Sequence, residues 1–284
     1  KLGYGSKATM TAAQKLYQAG KITYMRTDSV NLSGQAIAAA TDYIKRLYGP
    51  EYSTVRKFKT KNASAQEAHE AIRPTDMSLE TASNNEYDQK LYDLIRRRTL
   101  ASQMAPAKLE KTTATIAIST RKEVFEAKGE IVVFDGFLRV YGGGKDEILP
   151  AIQSGEALQT SVVEARQVVA RPPARYTEGS LVKKLEELGI GRPSTYATII
   201  DTVQTRGYVE RGEGEGEPRE VIVLRTIHEV VDGRTSGDST TSPERQRPAL
   251  PSDEVVGSDS VMIEREVVEE KTGSTKGKLL PTPA

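Results

Sequence analysis

Residues 177–209 read TEGSLVKKLEELGIGRPSTYATIIDTVQTRGYV. Thr177 is a good helix N-cap, and Leu181, Leu185 and Leu188 follow at helical spacing, with Lys183 and Lys184 on the polar side. Gly189 stops that helix. The tight turn Gly191-Arg192-Pro193-Ser194 opens a second helix carrying Tyr196, Ile199, Ile200 and Val203, which runs to Gly207 before Tyr208 and Val209 begin a strand. Helix, short turn, helix, strand is the winged helix-turn-helix pattern. Ser194 and Thr195 fall at the N-terminus of the second helix, where free backbone N–H groups and the helix dipole favour phosphate, and Arg192 is placed to join them.

Outward from this stretch the periodicity divides the rest of the chain. Between Pro106 and Pro172-Pro173 the period is two, predicting short antiparallel strands at Thr112–Ile118, Glu123–Ala127, Ile131–Val133, Leu138–Tyr141 and Val162–Val169. Gly142-Gly143-Gly144-Lys145 reads as a glycine turn rather than a phosphate cradle. Upstream, helices are predicted over Thr9–Gln18, from the N-cap Ser33 through Leu47, and over Tyr87–Gln103. Ser64 and Glu67 make a capping box, so Ser64–Arg73 reads as a helix with His69 and Arg73 four apart on one face. Two potential cations there invite an anion, although Glu67 and Glu70 beside them weaken that inference. Downstream of Arg211, Gly212–Glu217 reads as a hairpin tip and 233–254 as a flexible insertion, between strands at Val221–Val231 and Val261–Val268. Gly273–Lys278 resembles a phosphate loop only superficially: its spacing is one short and Leu279 stands where a magnesium-holding hydroxyl belongs. No ATP use is expected.

The chemically richest stretch is Gly20-Lys21-Ile22-Thr23-Tyr24-Met25-Arg26-Thr27-Asp28-Ser29. Read as a strand, it puts Tyr24, Arg26 and Asp28 on one face. A phenol, whose ordinary pKa is near 10, attacks phosphorus only where a cation steadies the phosphate and an acceptor takes its proton. This row supplies the cation and an acid/base or orienting carboxylate. Taken alone, the stretch reads first as an ordinary half-buried strand with a surface ion pair.

Composition narrows the classes. The 284 residues are 37% hydrophobic and 28% charged, with no Trp, which fits two or three polar-surfaced domains with modest cores. Zero cysteines exclude disulfides, thiolate chemistry and cysteine-ligated zinc, and two histidines leave any metal site to carboxylates. No apolar run approaches bilayer length and no signal-peptide pattern opens the chain, so no membrane partner is expected. The net charge of +1 conceals an asymmetry: residues 1–73 carry 12 Lys and Arg against 5 Asp and Glu, and residues 212–284 carry 9 against 15. A basic front suggests a polyanion. The chain opens on Lys1 rather than Met, and a fragment is expected.

Three blocks carry a family resemblance: Ile22-Thr23-Tyr24-Met25-Arg26-Thr27-Asp28-Ser29, Gln66-Glu67-Ala68-His69-Glu70-Ala71-Ile72-Arg73-Pro74 and Ile190-Gly191-Arg192-Pro193-Ser194-Thr195-Tyr196-Ala197. Together they resemble the signature blocks of type IA DNA topoisomerases, in family order, from Lys1 to roughly Val209. Met25, where the topoisomerase III branch typically has Pro, favours the bacterial topoisomerase I branch over a decatenase. The resemblance implies Tyr24 as nucleophile, Arg26 as the clamp on the scissile phosphate and His69 as a further catalytic residue. Asp28, Arg73, Arg192, Ser194, Thr195 and Arg206 are implied as DNA-binding residues. It implies a cap domain at 1–106, a β-arch at 107–171 and part of a DNA-binding base at 172–284, all within a toroidal fold. It also implies a monomer acting on single-stranded and negatively supercoiled DNA in the bacterial cytoplasm. Magnesium is implied for the whole enzyme, with ligands in a toprim domain that has no counterpart in this chain; no metal site is expected in the chain itself.

Two other readings compete. Tyrosine recombinases and type IB enzymes also use Tyr and Arg on DNA, but place the tyrosine after an Arg–His–Arg set, whereas here it comes first. A non-catalytic winged-helix module binding single-stranded DNA accounts for 177–209 and the basic front, yet leaves the Tyr24 row without a role.

Overall fold

The computed structural model describes residues 1–58, 69–160, 162–171, 173–228 and 261–282. In order, the elements are α1 (Ser6–Gln18), α2 (Gly34–Tyr48), a single 3-10 turn (Pro50–Tyr52), α3 (Glu86–Ser102), β1 (Lys108–Ala117), β2 (Val124–Phe134), α4 (Leu138–Tyr141), β3 (Val162–Arg166), α5 (Glu178–Glu187), α6 (Tyr196–Thr205), β4 (Val209–Arg211), β5 (Glu217–His228), β6 (Val261–Thr272) and β7 (Leu279–Pro281). The chain divides into two compact units, one of residues 1–152, 176–210 and 281–284, the other of 153–175 and 211–280.

In the first unit, α3 is the spine. Leu91 and Tyr92 on its first half pack with Ala12, Ala13 and Leu16 of α1 and with Ile22 and Met25. Leu100 in the last turn of α3 and Met104 just after it pack with Ala40, Tyr43 and Ile44 of α2 and with Met77. The caps are largely those the sequence specifies. Ser33 Oγ accepts the Ala36 N–H at 3.2 Å, and Asn85 caps α3 through the N–H groups of Tyr87 and Asp88. At the end of α1, Gly20 at φ +66° lets the Gly20 N–H reach the Tyr17 carbonyl and the Lys21 N–H reach the Leu16 carbonyl, both at 2.9 Å. The same arrangement, around Gly189, ends α5 and turns the chain into the Ile190–Thr195 turn. These two stops aim the segments that matter for the site.

β1 and β2 form an antiparallel ribbon, Lys108 opposite Phe134 and Ala117 opposite Val124. The two strands expected at Glu123–Ala127 and Ile131–Val133 are one continuous strand, β2. Leu138–Tyr141, expected as a strand, is instead the short helix α4, because Phe137 and Val140 face the α2–α3 core at helical spacing.

In the second unit β5 pairs antiparallel with both β3 and β6. Gly212–Glu217 is not a hairpin tip, since β4 pairs with β7 and β5 with β6. The glycines lie against 273–278 instead: Gly212 N–H donates to the Lys278 carbonyl at 2.8 Å and Gly214 accepts from Thr275 N–H at 2.9 Å. A Cβ on Gly212 would sit 2.7 Å from the Thr275 carbonyl oxygen, so the close approach itself requires glycine. The insertion expected at 233–254 and the capping box of Ser64 and Glu67 lie outside the described residues.

Candidate active site

Tyr24 does not sit on a strand. Ile22 makes a single bridge to Pro74, Thr23 N–H donates to the Arg73 carbonyl at 2.9 Å, and Thr75 N–H donates to the Lys21 carbonyl at 3.1 Å. There the ladder stops, because the Thr23 hydroxyl takes over: it accepts from Arg73 N–H at 2.9 Å and donates to the Ala71 carbonyl at 2.7 Å. Beyond it the chain turns through hydroxyl-bonded steps, Ser29 N–H on Thr27 Oγ1 and Asn31 N–H on Ser29 Oγ. Orientation comes from anchoring rather than pleating. Ile22 and Met25 are buried in the α1–α3 core, which leaves Tyr24, 37% exposed, and Arg26 facing outward.

The expected helix through His69 and Arg73 is likewise absent at its described end. Residues 69–73 are irregular and run beside Lys21–Thr23, held by those bonds and by Ala71 N–H on the Asn31 carbonyl at 2.7 Å. Arg73 is not an open cation. Its Nε and Nη2 form a fork on the Glu70 carboxylate at 2.8 and 2.9 Å, and Nη1 bonds the Pro74 carbonyl at 2.9 Å. Glu70 also accepts the Ser33 N–H at 2.8 Å, tying this segment to the start of α2. Burial pushes the Glu70 carboxyl up, but the Arg73 and Ser33 hydrogen bonds outweigh it and hold the pKa below the usual range.

Tyr24, Arg26, His69, Ser194 and Tyr17 line one open cleft of about 610 Å³. The Tyr24 ring packs with two others, Tyr17 edge-to-face at 5.3 Å and 66°, and His69 tilted at 5.9 Å and 36°. Ser194 is brought in from 177–209 by contacts onto α1. The Glu178 carboxylate accepts the Ser6 N–H at the free N-terminus of α1 at 2.6 Å, and Lys7 approaches Asp201 at 3.8 Å. Arg26 also lines a second groove of about 490 Å³ between α1 and α6, with Lys7, Gln14, Lys15, Gln18 and Thr198.

The remaining expected residues lie around this cleft rather than in it. Helix–turn–helix–strand is present where the sequence places it, but Thr195 does not cap α6 with its side chain. Its hydroxyl accepts the Arg192 N–H at 2.9 Å and donates to the Arg192 carbonyl at 3.1 Å, closing the turn. Among the described residues the Arg192 side chain is held only by a 3.3 Å bond to the Gly191 carbonyl, and it stays exposed. Asp28 is half-buried near Tyr196, whose phenol pKa is raised by burial first and then by Glu186 and Asp28, against Arg192. Arg206 follows the last turn of α6, about 15 Å of helix away from Ser194. Tyr17 is exposed and lines the cleft, a place that the helical spacing of α1 alone does not indicate. The available signal was its position, one residue past buried Leu16 in a last turn that Gly20 closes.

A DNA topoisomerase family model matches residues 1–233. The chain belongs to the bacterial type IA DNA topoisomerases. DNA topoisomerase 1 of Vibrio cholerae is 43% identical over 266 residues, covering 90% of this chain and 30% of that protein. DNA topoisomerase 1 of Pseudomonas aeruginosa is 47% identical over 218 residues, covering 74% and 25%. Full-length topoisomerase I from Thermotoga maritima superposes with a TM-score of 0.62 at 36% identity, covering 74% of this chain and 36% of that one. This topoisomerase chain thus spans about a third or less of the length of these relatives, and the matched region contains Tyr24 and the whole cleft around it.

Proposed function

We propose that Tyr24 is the nucleophile of an ATP-independent type IA reaction, in which the whole protein relaxes negatively supercoiled DNA through a transient break in one strand. The observation that carries this reading is the outward-facing Tyr24 phenol sharing one cleft with Arg26, His69 and Ser194. The phenolic oxygen attacks the phosphorus of a DNA diester. The new O–P bond forms on Tyr24, the bond to the 3′ oxygen breaks, the phenolic proton passes to an acceptor and the departing oxygen takes one up. The result is a 5′-phosphotyrosyl link and a free 3′-hydroxyl, which reverses the step once the other strand has passed. One phosphodiester replaces another, so stored torsion suffices to drive turnover.

Arg26 clamps the phosphate and offsets the extra negative charge of the pentacoordinate state. His69, packed on the Tyr24 ring, helps hold the cleavage site. Arg192 and Ser194 take backbone phosphates of the single strand, with Arg206 further along α6. Thr195 shapes the turn that presents them, Asp28 orients rather than acting as base, and Arg73 braces the 69–75 segment. Among the described residues no three of His, Cys, Asp and Glu are grouped to hold a metal ion. The magnesium that the family resemblance implies would be held by a toprim domain rather than by these residues, and no step here passes through it.

On the same reading, 1–106 is the cap, 107–171 the β-arch and 172–284 part of a winged-helix-type base in a toroidal enzyme that acts as a monomer on DNA in the bacterial cytoplasm. Among the described residues no helix is long and apolar enough to cross a membrane. Support for the type IA reading is the order of the three sequence blocks, while the compact units divide the chain at other places than these bounds.

The test is to trap the adduct of the full-length protein on a single-stranded oligonucleotide and map the modified residue. Tyr24 is expected to carry it, and Tyr24→Phe to lose it while retaining DNA binding. An undiminished adduct in the Phe variant would overturn the assignment.

A further inference from the structure

We propose that Tyr17 is a positioning residue that holds the Tyr24 ring in its attacking orientation, acting through its own ring and not its hydroxyl; this rests on Tyr24 being the nucleophile. Tyr24 needs such a hold. Its backbone lies one residue past the end of the ladder, and among the described residues no hydrogen bond fixes its hydroxyl. The ring is 37% exposed. What constrains it is the edge-to-face contact with Tyr17 and the tilted contact with His69.

Tyr17 is suited to act as the fixed partner. Its backbone belongs to the last turn of α1, where its carbonyl accepts the Gly20 N–H, and the neighbouring Leu16 is buried in the core with its carbonyl bonded to Lys21 N–H. His69 offers less of a fixed reference, since it lies in an irregular segment. At 5.3 Å and 66° the positive edge of one Tyr ring meets the negative face of the other, a contact with a preferred direction. A nucleophile held near its attack geometry loses less freedom on the way to the transition state. Because the same geometry serves attack and reversal, the hold should speed cleavage and rejoining alike and leave their ratio unchanged.

The experiment uses the full-length protein and a single-stranded oligonucleotide carrying one cleavage site. Single-turnover cleavage and rejoining rates, the cleaved fraction at equilibrium and the Kd for uncleaved strand are measured for the unaltered protein, Tyr17→Ala and Tyr17→Phe. The Ala variant is expected to slow both rates by about 2- to 12-fold, the size of one aromatic pair, with the cleaved fraction and Kd unchanged. The Phe variant is expected to restore both rates. Rates unaffected in Ala, Phe as slow as Ala, or a loss that appears as weaker binding would each overturn the inference, the last by making Tyr17 a stacking platform for a base. An adduct mapping away from Tyr24 in the unaltered protein overturns the nucleophile assignment and this inference with it. An adduct on Tyr24 with any of the three adverse results overturns this inference alone.

Discussion

Replacing Glu70 by Ala should loosen the backbone that presents Tyr24 without touching the cleft. Glu70 accepts three hydrogen bonds, from Ser33 N–H at 2.8 Å and from Arg73 Nε and Nη2 at 2.8 and 2.9 Å, and the two side chains are 24% and 16% exposed. Hydrogen bonds to charged groups contribute about 1.5–3 kcal/mol each, but they do not add here, since the exposed Ser33 N–H and part of the guanidinium regain water. The net loss should be about 2–3 kcal/mol, confined to the 69–75 segment and its partners. Amide exchange reads it directly: Thr23 N–H on the Arg73 carbonyl and Ala71 N–H on the Asn31 carbonyl should exchange about 30- to 150-fold faster, while Gln89 N–H in α3 keeps its protection. Adduct yield on Tyr24 should fall in step.

The pH dependence has a definite sign. The folded-state pKa of Glu70 is depressed, so its contribution is present above the unfolded value near 4.3 and is lost as pH falls through the lower folded value. The difference between Glu70→Ala and the unaltered protein should therefore shrink below about pH 4. Unchanged exchange at Thr23 and Ala71, or equal acceleration at Gln89, would refute the view that this fork braces the backbone presenting Tyr24.

Two further outcomes are expected. Arg192→Ala should lower affinity for single-stranded DNA and flatten the plot of log Kd against log salt by about 0.7, the value for one lost phosphate contact on a single strand; an unchanged slope removes Arg192 from the interface. Gly136→Ala should destabilise the junction of β2 with the end of α3, since Gly136 sits at φ +49° and a Cβ would lie 2.5 Å from the Ala105 carbonyl oxygen. The cost should be about 2–4 kcal/mol, read as a lower urea midpoint for burial of Tyr52 and Phe134.

Local rules made much of the chain legible. Ser33 and Thr177 are caps because their side-chain oxygens satisfy free N–H groups a few residues away, and Gly20 and Gly189 are stops because they tolerate positive φ. The alternation of β1 and β2 and the helical spacing of α1, α3, α5 and α6 depend on the same short range. The three family blocks also named Tyr24, Arg26, His69 and Ser194, the residues found lining one cleft. Reading failed where a tertiary bond displaced a local preference. β-formers at Ile22–Met25 predicted a strand, but the Thr23 hydroxyl, bonded to a segment about fifty residues away, ended the ladder after one bridge. Glu70 and Arg73 suited a helix, yet their side chains pair across an irregular segment that borrows its hydrogen bonds from Lys21–Thr23 and Asn31.

Residue chemistry and short-range spacing were thus set by the sequence alone: which of the longer helices form, where they stop, and which phenol and guanidinium are candidates for the reaction. Which side of the chain those groups face was decided by burial of Ile22 and Met25 against α1 and α3. That Ser194 reaches the cleft through Glu178 on the end of α1 is a long-range fact, since the bonded residues Ser6 and Glu178 stand 172 apart in the chain. That Tyr17 lies against Tyr24 and that Arg73 is spent on Glu70 depend on the path of irregular backbone between near neighbours, which periodicity and capping do not contain either.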